Sequence, residues 1–197
     1  MERISLKWSL FILGVAGILL AIFLWTFNSP KVHSDIQPAL PPIGQTGQTM
    51  AGLPIRLKIP KINVDAAVDY VGLTADGAMD VPKGPTTVAW FDLGLRPGEI
   101  GSSVIDGHSG YKNNRPAVFD SLYKLQKGDE IYVQGADGTT TTFVVQSFRN
   151  YDPTANAENV FDSNDGKAHL NLITCSGDWN ANAQTHSKRL VVFTDKE

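Results

Sequence analysis

The chain has 197 residues, of which 42% are hydrophobic, and its formal net charge at pH 7 is −3. This length and composition fit one globular domain of ordinary size plus an additional segment. The small net charge and the lack of a basic cluster argue against a protein that binds nucleic acid.

The additional segment lies at the N-terminus. Residues 8–27 form a run of 20 residues without a charged side chain, enough for a helix of about 30 Å, the thickness of a bilayer core. The run is longer than the apolar part of a signal peptide, and no small-x-small cleavage site follows it. Arg3 and Lys7 precede the run, which favours a cytoplasmic N-terminus. We therefore expect a cytoplasmic segment at 1–7, one transmembrane anchor at 8–27 and an extracellular remainder.

The pattern changes twice after this run. Residues 28–52 are rich in Pro, Gly, Gln and Thr without a regular period, which is typical of a linker. Residues 53–197 contain short apolar or alternating runs separated by turn residues, which predicts an all-β barrel or sandwich. Short helical segments are predicted at 117–125 and 156–161. The predicted strands are residues 55–60, 64–72, 86–92, 102–108, 130–135, 139–151, 169–175 and 189–194.

Cys175 is the only cysteine in the sequence and ends the predicted strand 169–175. Outside the cell, a structural cysteine usually has a disulfide partner, and this one has none. Side-chain alternation places Leu170 and Leu172 on the core face of the strand and Cys175 on the other face, next to a predicted Ser-Gly-Asp loop. A thiol in such a polar place becomes a nucleophile when a nearby base or positive charge favours the thiolate. A buried structural cysteine is the alternative interpretation.

Two histidines are candidates for the base. His108 ends a predicted strand, and His186 lies in the segment that follows Cys175. His169 precedes Cys175 by six residues on the same strand, about 20 Å away, and cannot reach the thiol.

Arg189 opens the last predicted strand, 14 residues after Cys175. If this strand pairs with 169–175 in antiparallel fashion, the guanidinium lies beside the thiol. It could then donate two hydrogen bonds to a substrate carbonyl or to a developing oxyanion. A solvated charge at a strand end is the alternative interpretation.

These residues together resemble the sortases, the membrane-anchored cysteine transpeptidases of bacterial cell surfaces. The family has a Thr-Leu-x-Thr-Cys strand, an upstream Gly-His and an Arg on the strand after the cysteine. The chain has Leu172-Ile173-Thr174-Cys175, Gly107-His108 and Arg189 in the same order, and the resemblance covers 53–197. Asn171 stands where the family has its first Thr. The compact domain without a long C-terminal extension is most similar to sortases of class D, E or F.

The resemblance implies an eight-stranded sortase-type β-barrel with one or two short helices and a two-step transpeptidation. Cys175 would attack the Thr carbonyl of a Leu-Pro-x-Thr-Gly-like motif at the C-terminus of a secreted protein and form a thioester. His108 would act first as general acid and then as general base, and Arg189 would hold the substrate or stabilise the oxyanion. The acceptor would be an amine of a cell-wall precursor or a pilin lysine. Thr174 and Asn171 are the predicted substrate-binding residues.

The resemblance implies no obligatory cofactor or metal. Some sortases bind calcium near the loop before the cysteine strand. Here that region carries four carboxylates, which are more typical of a solvated loop: Asp152, Glu158, Asp162 and Asp165.

Two other interpretations are compatible with these residues. The first is a cysteine peptidase or amidase of another fold that pairs Cys175 with His186. Such enzymes usually place the cysteine at a helix N-terminus, whereas Cys175 follows a strand. The second is a non-catalytic, membrane-anchored β-domain.

Overall fold

The structure is a computed structural model, and it describes residues 52–112, 115–182 and 185–197. The predicted cytoplasmic segment, the predicted transmembrane helix and almost the whole predicted linker lie outside the described residues. Across the described ranges, no helix is both long and apolar enough to cross a membrane.

Most of the described chain forms β-strands, as the alternating pattern predicts. The strands are β1 Pro54–Ile59, β2 Val64–Val71, β3 Val88–Phe91, β4 Gly101–Gly107, β5 Tyr111–Lys112, β6 Arg115–Pro116, β7 Glu130–Gly135, β8 Thr140–Tyr151, β9 Ala168–Asn180 and β10 Thr185–Lys196. The helical segments are two 3₁₀ turns, Pro60–Ile62 and Leu122–Lys124, and the one-turn helix α1, Glu158–Phe161.

Eight of these strands close into a barrel in the order β1-β2-β3-β4-β9-β10-β8-β7, and β5 and β6 form a separate pair. All eight predicted strands are therefore confirmed, together with the barrel. The barrel closes because each strand has one face that must be removed from water. Leu170 and Leu172 of β9 are fully buried beside Ile105 of β4 and Phe143 of β8, which confirms the predicted core face.

The short helix or helical turn predicted at 117–125 exists in shorter form. Only Leu122–Lys124 is helical, as a 3₁₀ turn. The N–H groups of Asp120, Leu122 and Lys124 each donate to the carbonyl three residues earlier, so the segment forms turns of the 3₁₀ type and not an α-helix. The helix predicted at 156–161 exists in shorter form as α1.

The prediction of a Ser-Gly-Asp loop after Cys175 is wrong, because β9 continues to Asn180 and pairs with β10 along this stretch. The pairing has a bulge: Ser176 lies opposite Lys188, whereas Trp179 lies opposite His186. Gly177 accommodates the bulge with a φ of +74°, which glycine adopts without a steric penalty.

Candidate active site

Cys175 lies within β9 directly opposite Arg189 of β10, so the predicted antiparallel pairing of these two strands is confirmed. The thiol is free and partly exposed. Because the two residues are cross-strand partners, the guanidinium and the thiol belong to one local electrostatic environment.

The chain around His108 runs alongside the Cys175 segment. β4 and β9 are parallel neighbours, and His108 follows the last residue of β4. The Thr174 hydroxyl donates to the Gly107 carbonyl over 2.6 Å, and the Ser109 hydroxyl donates to the Cys175 carbonyl over 2.6 Å. These two hydrogen bonds attach the residues on both sides of His108 to the cysteine strand. The structure thus places the backbone of His108, at the end of β4, beside the strand that carries Cys175, and Arg189 lies opposite the cysteine on β10.

The ring of His108 has a defined hydrogen bond. Its Nε2 lies 3.0 Å from the Pro82 carbonyl oxygen. A carbonyl can only accept, so Nε2 carries the hydrogen and Nδ1 is the nitrogen that can take up a proton. The Pro82 contact therefore selects both the tautomer and the ring orientation.

The guanidinium of Arg189 is held by its own strand. One terminal nitrogen donates to the carbonyls of His186 and Lys188, and the other donates to the Thr185 hydroxyl. An arginine has five N–H donors, and these bonds use three of them. The fork is thus fixed in place while donors remain for an incoming oxygen.

Burial raises the pKa of the Cys175 thiol, and the carboxyl of Asp106 raises it further, whereas the charge of Arg189 lowers it. Burial is the largest of these effects, so the pKa lies above its ordinary value. The thiol is therefore protonated at neutral pH in the free protein. A base must accept the proton as the sulfur attacks, since only the thiolate is a good nucleophile.

A groove of about 280 Å³ lies beside these residues. Arg189 and Asp106 line it from β10 and β4, and Ile173 lines it from β9. The remaining walls are mostly apolar and include Met79, Val81, Val160, Phe161 and Val191. Cys175 lines a second cavity of about 250 Å³ with Ser109, Asp120 and Tyr123.

Asp106 is not among the site residues predicted from the sequence. Its signal was a lone carboxylate inside the apolar run Val104-Ile105-Asp106, directly before the Gly-His pair. Burial raises the pKa of its carboxyl to about 7, against the opposing influence of Arg189 and the Gly107 N–H.

The two residues predicted to bind substrate are both buried. Thr174 is 2% exposed and bonds Gly107, and Asn171 is 1% exposed and donates to the Val160 carbonyl over 2.6 Å. The two buried side chains are therefore not placed to contact a substrate directly. Thr174 connects the histidine segment to β9, and Asn171 connects α1 to β9.

The other two histidines in the described part of the chain, His169 and His186, have structural partners. His186 Nδ1 lies 3.0 Å from the Gly177 carbonyl, and its ring packs edge-on against Trp179. His169 lies between Asp165 and Asp195, at 2.9 Å from each carboxylate.

The carboxylates considered for calcium are engaged elsewhere or dispersed. Asp152 pairs with Lys188, and Asp165 pairs with His169. In the described part of the chain, no group of three or more His, Cys, Asp or Glu side chains is arranged to hold a metal ion. The expectation about cofactors stays a prediction.

Gly107 has a steric reason to be glycine. A Cβ atom at this position would overlap the ring of Phe119, which is 1% exposed in the core. We expect Gly107→Ala to destabilise the domain by about 1–3 kcal/mol through overpacking. The measurement is the midpoint of thermal unfolding, which should fall by several degrees.

The matched control for this substitution is Gly84→Ala. A Cβ there would meet the Thr87 hydroxyl at an ordinary 3.8 Å, so its unfolding midpoint should stay near that of the wild type. A second change, Phe119→Leu, should restore part of the stability of Gly107→Ala. Equal unfolding midpoints for Gly107→Ala and the wild type would contradict the steric explanation.

Comparison with known proteins gives a consistent result. A family model described as Sortase domain matches residues 57–197. Sortase C-1 from Actinomyces oris is 25% identical, with 72% of each chain covered and a TM-score of 0.58. Sortase C2 of Pilus Island 1 from group B Streptococcus is 28% identical, with 72% of each chain covered and a TM-score of 0.55.

Sortase A from Corynebacterium diphtheriae is similar in fold. It is 23% identical, with 75% of this chain and 61% of that chain covered and a TM-score of 0.58. No curated protein matches the sequence significantly.

Proposed function

This chain belongs to the sortase family of cysteine transpeptidases, and we propose that Cys175, His108 and Arg189 are its catalytic residues. The substrate is the C-terminal sorting motif, Leu-Pro-x-Thr-Gly-like, of a secreted protein, and the acceptor is an amine. One observation carries this proposal: β4, β9 and β10 are adjacent, Arg189 lies opposite Cys175, and His108 follows β4 directly beside the cysteine strand.

The first step is acylation. The sulfur of Cys175 attacks the threonine carbonyl while Nδ1 of His108 accepts the thiol proton. The N–H donors that remain on Arg189 stabilise the negative oxygen of the tetrahedral intermediate. The C–N bond then breaks, and the His108 imidazolium gives its proton to the leaving amine. The product is a thioester on Cys175 and a free C-terminal fragment.

The second step transfers the acyl group. The acceptor amine attacks the thioester carbonyl, His108 removes a proton from the amine, and the C–S bond breaks to regenerate the Cys175 thiol. The acyl segment fits the mostly apolar groove beside Arg189. The cavity that Cys175 itself lines offers the acceptor a separate approach.

We also propose that residues 8–27 anchor the enzyme in the cell membrane, with the N-terminus in the cytoplasm and the domain outside. The support is the uncharged run of 20 residues in the sequence. This position would hold the site where secreted substrates and acceptors meet. A cell-wall precursor or a pilin lysine would supply the acceptor amine.

The test uses the full-length protein in detergent, a panel of Leu-Pro-x-Thr-Gly-type peptides and a primary amine. We expect a covalent adduct on Cys175, which mass spectrometry identifies as a thioester of the peptide up to its threonine, and an amide product with the amine. Cys175→Ala should form neither while keeping the wild-type unfolding midpoint. If the wild type forms no adduct and no transfer product with any peptide, the proposal is wrong.

A further inference from the structure

Asp106 is an unusual residue to line the substrate groove, because it is charged and lies within a mostly apolar wall. The groove walls are mostly apolar, and the charged residues among them are Asp106, Asp152 and Arg189. Asp152 pairs with Lys188 and is largely exposed. Asp106 instead lies in β4 between the buried residues Ile105 and Gly107.

The carboxyl of Asp106 has no side-chain hydrogen bond within the described residues, and the nearby backbone N–H of Gly107 favours its charged form. Arg189 acts on it electrostatically without forming an ion pair, because the guanidinium is directed to its own strand. The side chain is partly exposed and lines the groove, so a ligand can reach it, while burial by the surrounding walls raises the pKa of the carboxyl. Groups retained in this state in a cleft are frequent at functional sites.

Asp106 lies near the reacting end of the groove. Its charge influences both Cys175 and Arg189, which flank the bond to be cleaved in the proposed reaction. Val160 and Phe161 of α1 line the same groove without a charge. A ligand group that meets Asp106 therefore belongs to the acyl segment close to the threonine.

We propose that Asp106 is a specificity-determining residue that binds a side chain with an N–H donor, cationic or amide, on the N-terminal side of the threonine in the sorting motif. The inference rests on the proposed function, because it assigns part of the substrate of that same site. A purely aliphatic motif would leave the carboxyl without a partner when the substrate displaces water from the groove. A cationic side chain would also neutralise the charge that opposes formation of the thiolate.

The experiment compares kcat/KM of the full-length protein for peptides that differ at one position. The first and third residues of the Leu-Pro-x-Thr-Gly motif are replaced in turn by Lys, Arg, Gln, Asn, Leu, Ala or Glu. At one of these positions we expect an N–H donor to exceed Leu by about tenfold, as one hydrogen bond to a charged group would give. Glu should be the poorest substrate.

Two variants separate charge from hydrogen bonding. Asp106→Ala should reduce the preference for donors over Leu to about one. Asp106→Asn should keep the preference for Gln and Asn, since its amide oxygen still accepts, and lose the preference for Lys and Arg. Asp65→Asn is the control, because it removes the same charge from an exposed carboxylate that pairs with Arg56 outside the groove. It should keep the wild-type preference.

The outcomes are distinguishable. If the wild type forms a thioester but turns over donor and aliphatic peptides equally, the inference about Asp106 is wrong and the proposed function stands. If Asp106→Ala lowers turnover of every peptide by the same factor, Asp106 positions the catalytic groups and does not select substrate. If the wild type modifies none of the peptides, the proposed function fails and the inference fails with it.

Discussion

Replacement of His108 by Ala is expected to lower kcat for transpeptidation by about 10²–10⁴-fold, the usual contribution of a positioned general acid–base. The thiol of Cys175 has a raised pKa, so little thiolate exists at neutral pH without a base. Nδ1 of His108 is the ring nitrogen left to accept the proton, because Nε2 donates to Pro82. The measurement is the rate of product formation by mass spectrometry at saturating peptide and amine.

His186→Ala is the matched control, since it removes the other histidine that the sequence offers as a candidate for the base. Its ring contacts Trp179 and the Gly177 carbonyl, so we expect kcat within a few fold of the wild type. Added imidazole should restore part of the activity of His108→Ala, because it can replace the missing ring. If His186→Ala abolishes turnover and His108→Ala does not, the assignment of the base is wrong.

Replacement of Arg189 by Ala is expected to lower kcat by about 10²–10³-fold, as loss of an oxyanion donor does in other enzymes. The structure gives Arg189 two separable influences. Its charge lowers the pKa of Cys175, and its planar fork presents the N–H donors that its strand does not use. Arg189→Lys retains the charge and loses the fork.

The pH dependence of alkylation by iodoacetamide separates these influences. Because a positive charge stabilises the thiolate, Arg189→Ala should move the midpoint for Cys175 to higher pH, whereas Arg189→Lys should leave it close to that of the wild type. Turnover by Arg189→Lys should nevertheless stay far below the wild-type rate. Wild-type turnover in Arg189→Lys would mean that the charge alone matters and that the fork has no catalytic role.

The eight barrel strands could be predicted from the sequence because their signal is local. Alternation of apolar and polar side chains reflects the pleat of a strand, and turn residues separate one run from the next. The same rule placed Leu170 and Leu172 in the core. Helical spacing overestimated the length of the helix at 117–125, because the same spacing suits a chain of turns whose N–H groups bond three residues back.

The proposed site was only partly predictable. Gly107-His108, Cys175 and Arg189 follow one another along the chain in the order of the sortase motifs, and this order predicted that they form one site. Asp106 could not be predicted, because no local sequence pattern shows that a groove lies beside β4. Asn171 and Thr174 were expected to face a substrate, yet both are buried, and their side chains bond backbone carbonyls of other elements, Val160 of α1 and Gly107 of β4.

The strands, the free thiol and the identities of the reactive groups follow from the amino-acid sequence, since these depend on neighbouring residues and on composition. The fold was needed to show that β4 lies beside β9, that Ser109 bonds the Cys175 carbonyl 66 positions away, and that Asp106 shares a groove with Arg189. The reason is that pairing of distant strands depends on burying all their apolar faces at once, and no local pattern records which strands become neighbours.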